Sequence, residues 1–186
     1  MRTPTTSAAE AARLIQTDHQ RLLDQVGDLP ESALRAPYRV TDGPLGHFCD
    51  SLHDLVSHIL MWDEITLAVL REAAAGRTHW SLDPRWETAA AGSALNAGGV
   101  DAGRHLPSEL LVHRFRSVGT ALISEVESYD ERSWLSEAPG FDGSLGALAE
   151  YVATPPDGQL YAHVARHLGP LAPAQPGATA DERTAV

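Results

Sequence analysis

The 186-residue sequence has little cysteine, no lysine and no long apolar run, and each shortage excludes a class of protein. The single cysteine, Cys49, rules out an internal disulfide framework. No apolar run approaches the roughly 20 residues that span a bilayer. Residues 1–6 do not resemble the apolar centre of a secretory signal peptide. We therefore expect a cytoplasmic protein with no membrane partner.

The charge balance is acidic, with 25 Asp and Glu against 14 basic residues and a net charge of -11. All 14 basic residues are arginines, and they are scattered along the chain. Because phosphate binding needs clustered basic side chains, we expect no nucleic-acid partner. Nine histidines are more informative, since histidine is a common metal ligand and acid–base group. A small-molecule substrate is the expected partner.

Apolar residues recur at helical spacing in several segments, and no segment alternates with the period of a strand. The main helices are predicted over residues 8–26, 45–75, from 107 to about 127, and 158–168, with a short helix at 145–152. Four such helices predict an all-α, four-helix bundle. The bundle is expected to be one domain over residues 7–171, with flexible tails at 1–6 and 172–186. Its oligomeric state is left as monomer or homodimer.

Long connections are expected after the first two helices, at residues 31–46 and 77–106. The second is predicted to be irregular, and connections of this length are often lids or binding loops. It carries Trp80 and Trp86, which we expect to cover a pocket. Trp62 lies on the second helix, one turn after His58, and is predicted to form part of the pocket wall. These three tryptophans are the candidate substrate-binding residues.

His163 and His167 are spaced i and i+4, so on a helix they share one face. We expect His58, at the edge of the apolar stripe of the second helix, to supply a third ligand. A divalent metal with three histidine ligands keeps a position for water or substrate. Zn²⁺ is the expected ion and Ni²⁺ an alternative. His53, predicted to face solvent, and His47, about three turns before His58, are competing candidates.

His19 falls on the apolar stripe of the first helix and should face inward. It is a candidate catalytic group for proton transfer, and equally a hydrogen-bonded histidine at the edge of the core. His79, His105 and His113 are expected in loops or on the surface. A helical bundle whose histidines are incidental remains the alternative to every metal hypothesis.

The stretch from Leu52 to Trp62, LHDLVSHILMW, resembles the DLxxHLxxW helix of the DinB-like superfamily, with Ile59 at the second leucine of the pattern. The resemblance covers roughly residues 10–170. It implies a four-helix bundle with His58, His163 and His167 as metal ligands. The superfamily includes bacillithiol- and mycothiol-dependent S-transferases and mycothiol-dependent maleylpyruvate isomerases.

The middle of the chain is similar to the ClbS/DfsB-like group, through the stretch from Trp62 to Glu64 and the segment from Trp86 to Asn96. Members of that group include proteins that protect their producers against reactive natural products. The resemblance to the DinB-like superfamily implies a metal-dependent enzyme that transfers a thiol, with mycothiol as co-substrate, to an electrophilic small molecule, or isomerises it with the help of the thiol. The alternatives are a hydrolase or self-resistance protein that opens or sequesters a reactive natural product.

Overall fold

The computed structural model describes residues 1–40, 48–156 and 158–168. Within these ranges the chain forms helices and no strand, so the prediction of an all-α bundle is confirmed. The helices are α1 Ala8–Val26, α2 Glu31–Leu34, α3 Leu52–Ala74, α4 Ala89–Arg104, α5 Ser108–Glu127, α6 Glu131–Trp134, α7 Leu145–Ala153 and α8 His163–His167. None of them is both long and apolar enough to cross a membrane.

Helix α3 is the central element of the bundle and packs against α4, α5 and α7. Helix α1 packs against α5 and α8. The bounds of α1 agree with the prediction, and Ser7 caps it by accepting a hydrogen bond from the Glu10 backbone N–H. Helix α3 begins later than expected, because Ser51 caps it through the Asp54 N–H. The expected start at residue 45, and His47, lie outside the described residues.

The segment 77–106 is not irregular as predicted, because it contains the 16-residue helix α4. Thr88 caps this helix, and ten of its 16 residues are alanine or glycine. Only Val100 and Gly103 are buried in it, so the helix has no apolar stripe that a periodicity search could detect. Its small residues instead allow close packing on α3, where a Cβ on Gly103 would clash with Ser57.

The last helix is much shorter than the predicted span of 158–168. Helix α8 has five residues, and Tyr161 before it adopts the left-handed conformation with φ 55°. Non-helical backbone thus separates α7 from α8. Within the described part of the chain, the fourth long helix is therefore α4 rather than the predicted segment at 158–168.

Residues 1–6, expected to be a flexible tail, make specific contacts with the C-terminal half of the chain. Arg2 exchanges backbone hydrogen bonds with Asp142 and Ser144. Glu150 Oε1 accepts from the backbone and hydroxyl groups of Thr5 and Thr6 at 2.7–2.9 Å. The predicted tail at 172–186 lies outside the described residues, and the boundaries of the single domain stay a prediction.

A polar layer divides the buried apolar side chains into two clusters. On α1, Ile15 belongs to one cluster and Leu22 to the other, with Asp18 and His19 between them. On α3, Ile59 and Val69 are divided in the same way by the buried Asp63. Gly119 divides Phe115 from Leu122 on α5. The candidate functional site is built in and beside this layer.

Candidate functional site

Three histidines that are distant in sequence come together where α3 meets α8. One ligand nitrogen from each of His58, His163 and His167 lies within 4.8 Å of the others. The Nε2 atoms of His58 and His163 are 3.1 Å apart. The three ring centroids lie 5.0–5.2 Å from one another and the rings are close to edge-on. The residues predicted from the spacing thus form a group that could hold a metal ion.

Burial makes the imidazoles of His58 and His163 poor bases. Desolvation, with a smaller contribution from His167, lowers the pKa of His58 to about 3. Desolvation and the two neighbouring histidines also hold the pKa of His163 well below its usual value. Both rings are therefore neutral at neutral pH, which is the form that binds metal ions. His58 Nδ1 is buried and has no hydrogen-bond partner among the described residues.

Asp18 holds α8 against α1. Its Oδ2 accepts from the Val164 N–H at 2.7 Å and its Oδ1 accepts from the Ala165 N–H at 3.0 Å. The side chain is buried, with 5% of the residue exposed. Desolvation raises the pKa of its carboxyl group, although the two backbone N–H groups oppose that effect. The sequence analysis missed this residue.

His19 faces inward as predicted, and its partner is a carboxylate. His19 Nε2 lies 3.0 Å from Asp63 Oδ2, and its ring packs against Phe115 at a centroid distance of 5.1 Å. Burial alone would lower the pKa of His19, but Asp63 and Asp18 outweigh burial and raise it. The nearby carboxylate favours the protonated imidazole, which makes the pair a candidate for proton transfer.

Gly119 makes room for the His19 ring. A Cβ at this position would lie 2.4 Å from His19 Nδ1. His19 lines the large internal cavity described below and also an outer groove of about 520 Å³ between α1 and α5. His19 therefore lies between the large cavity and the α1–α5 face.

The histidine cluster opens into a cavity of about 990 Å³, large enough for a small-molecule ligand. All three predicted tryptophans line it. Trp62 is partly buried and donates from Nε1 to Asn96 Oδ1 of α4 at 2.8 Å. Trp80 and Trp86 are half-exposed at its mouth, beside Tyr151. The Tyr151 hydroxyl donates to Glu87 Oε1 at 3.0 Å, which joins the 80–88 segment to α7 across the mouth.

Of the remaining histidines, His53 does not lie where we expected, whereas His79 lies in a loop as predicted. His53 is buried rather than solvent-facing, because its Nε2 meets the Leu106 carbonyl oxygen at 3.2 Å where the chain after α4 covers α3. His79 is also buried, with Nδ1 2.7 Å from Ser81 Oγ. His105 and His113 are exposed as predicted.

Asp18 and Asp63 are the site residues that sequence reasoning missed. Asp18 is i+3 from Ile15 and i-4 from Leu22, so it falls on the same apolar stripe as His19. Asp63 is i+4 from Ile59 and directly follows Trp62. A charged residue on an otherwise apolar face is costly unless it is paired. That signal could have identified both carboxylates.

No protein-family model matches the chain, and no curated protein matches it. Two solved structures share its fold at 16% sequence identity. One is an uncharacterised protein from Escherichia coli UTI89, with a TM-score of 0.63 over 80% of this chain and 85% of that chain. The other is the colibactin self-resistance protein ClbS in complex with a dsDNA, with a TM-score of 0.55 over 78% and 86%. At this identity the likeness establishes the fold.

The exclusion of a nucleic-acid partner was wrong. A protein with this fold has been crystallised with double-stranded DNA, so the fold is compatible with that ligand. Net charge is a sum over the whole molecule, whereas a phosphate contact depends on the local arrangement of a few cationic side chains. A sum of -11 therefore cannot exclude a local DNA contact.

Proposed function

We propose that this protein is a divalent-metal-dependent enzyme that adds a thiol to an electrophilic small molecule. The observation that carries the proposal is the cluster of His58, His163 and His167 at the wall of the large cavity. The resemblance to thiol-dependent S-transferases supports mycothiol as the co-substrate, in a transfer or a thiol-assisted isomerisation.

The donor set fits a borderline divalent ion. Three imidazole nitrogens and one position left for another ligand are typical of catalytic Zn²⁺ sites. Two nitrogens at about 2.0–2.1 Å from a tetrahedral ion lie about 3.3 Å apart. The 3.1 Å between His58 Nε2 and His163 Nε2 is close to that separation. Zn²⁺ is the ion we propose, and Ni²⁺ also accepts imidazole ligands.

A bound divalent ion would supply positive charge that favours the ionised form of a thiol or water at neutral pH. The residues of the chain supply the rest. His19 and Asp63 provide a closely spaced imidazole–carboxylate pair at the cavity wall that can accept or return a proton. The thiol loses its proton, its sulfur forms a bond to the electrophilic carbon, and the leaving group departs with the bonding electrons.

The cavity indicates the kind of electrophile. Trp62, Trp80 and Trp86 line its wall and mouth. Large aromatic side chains that remain half-exposed at a cavity gain free energy when a flat apolar molecule covers them. The proposed substrate is therefore a small electrophile with a flat apolar part.

The test is turnover of flat aromatic electrophiles, beginning with 1-chloro-2,4-dinitrobenzene. The Zn²⁺-loaded protein should form the thioether from mycothiol faster than the spontaneous reaction, and His163→Ala should abolish the excess rate. His113→Ala is the matched control, because His113 is exposed and outside the cluster. If no electrophile of the panel reacts faster with the wild type than with His163→Ala, thiol transfer is refuted.

A self-resistance role is the second candidate, and the structural likeness to ClbS supports it. In that role the cavity would sequester a reactive natural product, or water would open it. Turnover that needs no thiol would indicate hydrolysis. Ligand binding that survives His58→Ala and His163→Ala, without product by mass spectrometry, would indicate sequestration. Fluorescence anisotropy with a labelled duplex at several salt concentrations would test whether this chain binds DNA as ClbS does.

A further inference from the structure

Helix α8 carries two of the three clustered histidines, but it has little stability of its own. It has five residues, far fewer than the number at which isolated helices become stable in water. Ala162 at its N-cap provides no side-chain hydrogen bond, and Tyr161 before it has a positive φ of 55°. The backbone that carries His163 and His167 therefore depends on contacts from other elements.

The Asp18 carboxylate supplies such a contact. Both of its oxygens are engaged, one by the Val164 N–H and the other by the Ala165 N–H. These two residues lie between His163 and His167, so the hydrogen bonds fix the backbone that sets the relative position of the two rings. Side chains that cap helices normally come from the residue at the helix start. Here the acceptor comes from α1, 146 residues earlier in the sequence.

We propose that Asp18 is the positioning residue for the His163–His167 pair. It replaces the missing N-cap of α8 and holds the two rings toward His58 before any ligand binds. The inference rests on the proposed metal site, but its structural part, the ordering of α8 by Asp18, can be tested without metal. Residues that orient metal ligands typically contribute about 10- to 100-fold to metal affinity.

Asp18→Asn is the informative variant. Asparagine has the same shape, but it offers one acceptor oxygen and places an NH₂ group opposite the second backbone N–H. Asp24→Asn is the matched control on the same helix, because Asp24 is exposed and its hydrogen-bond donor among the described residues is the nearby Gln20. Val126→Ala controls for lost stability, since Val126 belongs to a different apolar cluster from Val164.

The first measurement is amide hydrogen exchange in the metal-free full-length protein. Hydrogen bonds to a charged acceptor are strong, so we expect Val164 and Ala165 to exchange about 10- to 100-fold faster in Asp18→Asn than in the wild type. Asp24→Asn should leave their protection unchanged. Unchanged protection in Asp18→Asn would overturn the inference, whether or not the protein binds metal.

The second measurement is the Zn²⁺ dissociation constant, obtained by competition with a chromophoric chelator. Asp18→Asn should weaken Zn²⁺ binding about 10- to 100-fold, while Asp24→Asn and Val126→Ala should bind like the wild type. Wild-type affinity in Asp18→Asn would overturn the positioning role. If the wild type itself binds no Zn²⁺ but α8 loses protection in Asp18→Asn, the proposed function fails and the ordering role of Asp18 stands.

Discussion

Gly119→Ala is expected to damage the polar layer without touching any clustered histidine. The added Cβ would lie 2.4 Å from His19 Nδ1 and 2.9 Å from Cε1. Relief of both contacts requires the ring to move by roughly 1 Å, since ordinary non-bonded contacts are about 3.5 Å. The ring is held on its other side by Asp63 at 3.0 Å. A ring pushed away from Gly119 would be driven against Asp63, so it has to tilt or shift sideways, and either movement disrupts the close contact between His19 and Asp63.

Three free-energy contributions, not all of the same sign, determine how much Gly119→Ala destabilises the protein. Overpacking a core position costs about 1–3 kcal/mol, and disruption of the buried His19–Asp63 contact costs about 1.5–3 kcal/mol more, as for other polar interactions with a charged group. Alanine at a helix interior recovers about 1 kcal/mol relative to glycine. We therefore expect a net loss of roughly 2–4 kcal/mol in the free energy of unfolding. For a protein of this size that lowers Tm by about 5–15 °C.

The loss of stability in Gly119→Ala should depend on pH. The reason is that Asp63 and Asp18 outweigh burial and raise the pKa of His19. A raised pKa contributes stability that is fully present below the unfolded value of about 6.5 and is lost as pH rises through the folded value. The difference between wild type and Gly119→Ala should therefore be larger at pH 6 than at pH 9.

Urea denaturation at both pH values, followed by far-UV circular dichroism, measures this difference. Gly98→Ala on α4 is the matched control, because nothing lies within 4 Å of a Cβ added there. That substitution should be neutral or should stabilise the protein by about 0.5–1 kcal/mol. Gly119→Ala with wild-type stability, or with a stability loss that is equal at the two pH values, would refute the assignment of Gly119 and the His19–Asp63 pair.

Two further predictions concern other parts of the chain. Burial, with Asp54 and Asp50 nearby, raises the pKa of the Cys49 thiol to about 12. The native protein should therefore not react with a disulfide reagent at pH 8, whereas the protein unfolded in urea should react fully. Rapid labelling of the native protein would contradict the burial of Cys49. Glu150→Ala removes the hydrogen-bond acceptor shared by Thr5 and Thr6. It should lower the free energy of unfolding by about 1–3 kcal/mol, which thermal melting can measure. Wild-type stability would show that residues 1–6 are not held through Glu150.

Apolar periodicity predicted the helices that bury a continuous stripe, and failed where the packing uses small residues. Helices α1, α3 and α5 bury large side chains at helical spacing, and each was predicted within a few residues except for the start of α3. Helix α4 packs through Gly99 and Gly103, so its contacts depend on the absence of side chains. Such packing leaves no hydrophobic signal in the sequence.

The histidine cluster was predictable, because a fixed helical spacing places His163 beside His167 on any helical turn, and the stripe of α3 located His58. The carboxylates that support it were not predicted. Asp18 acts through backbone N–H groups far away in sequence, and this partnership arises only from the packing of α1 on α8. His53 was misplaced for a related reason, since the chain after α4 covers a face that a single-helix projection assigns to solvent.

The central claim is that His58, His163 and His167 hold a divalent ion. Elemental analysis of the purified, dialysed protein tests it most directly, with Zn²⁺-reconstituted wild type, His163→Ala and His113→Ala compared side by side. We predict about one Zn²⁺ or Ni²⁺ per chain in the wild type and in His113→Ala, and a loss of most of it in His163→Ala. The absence of stoichiometric metal from the wild type, or equal metal in all three proteins, would contradict the claim.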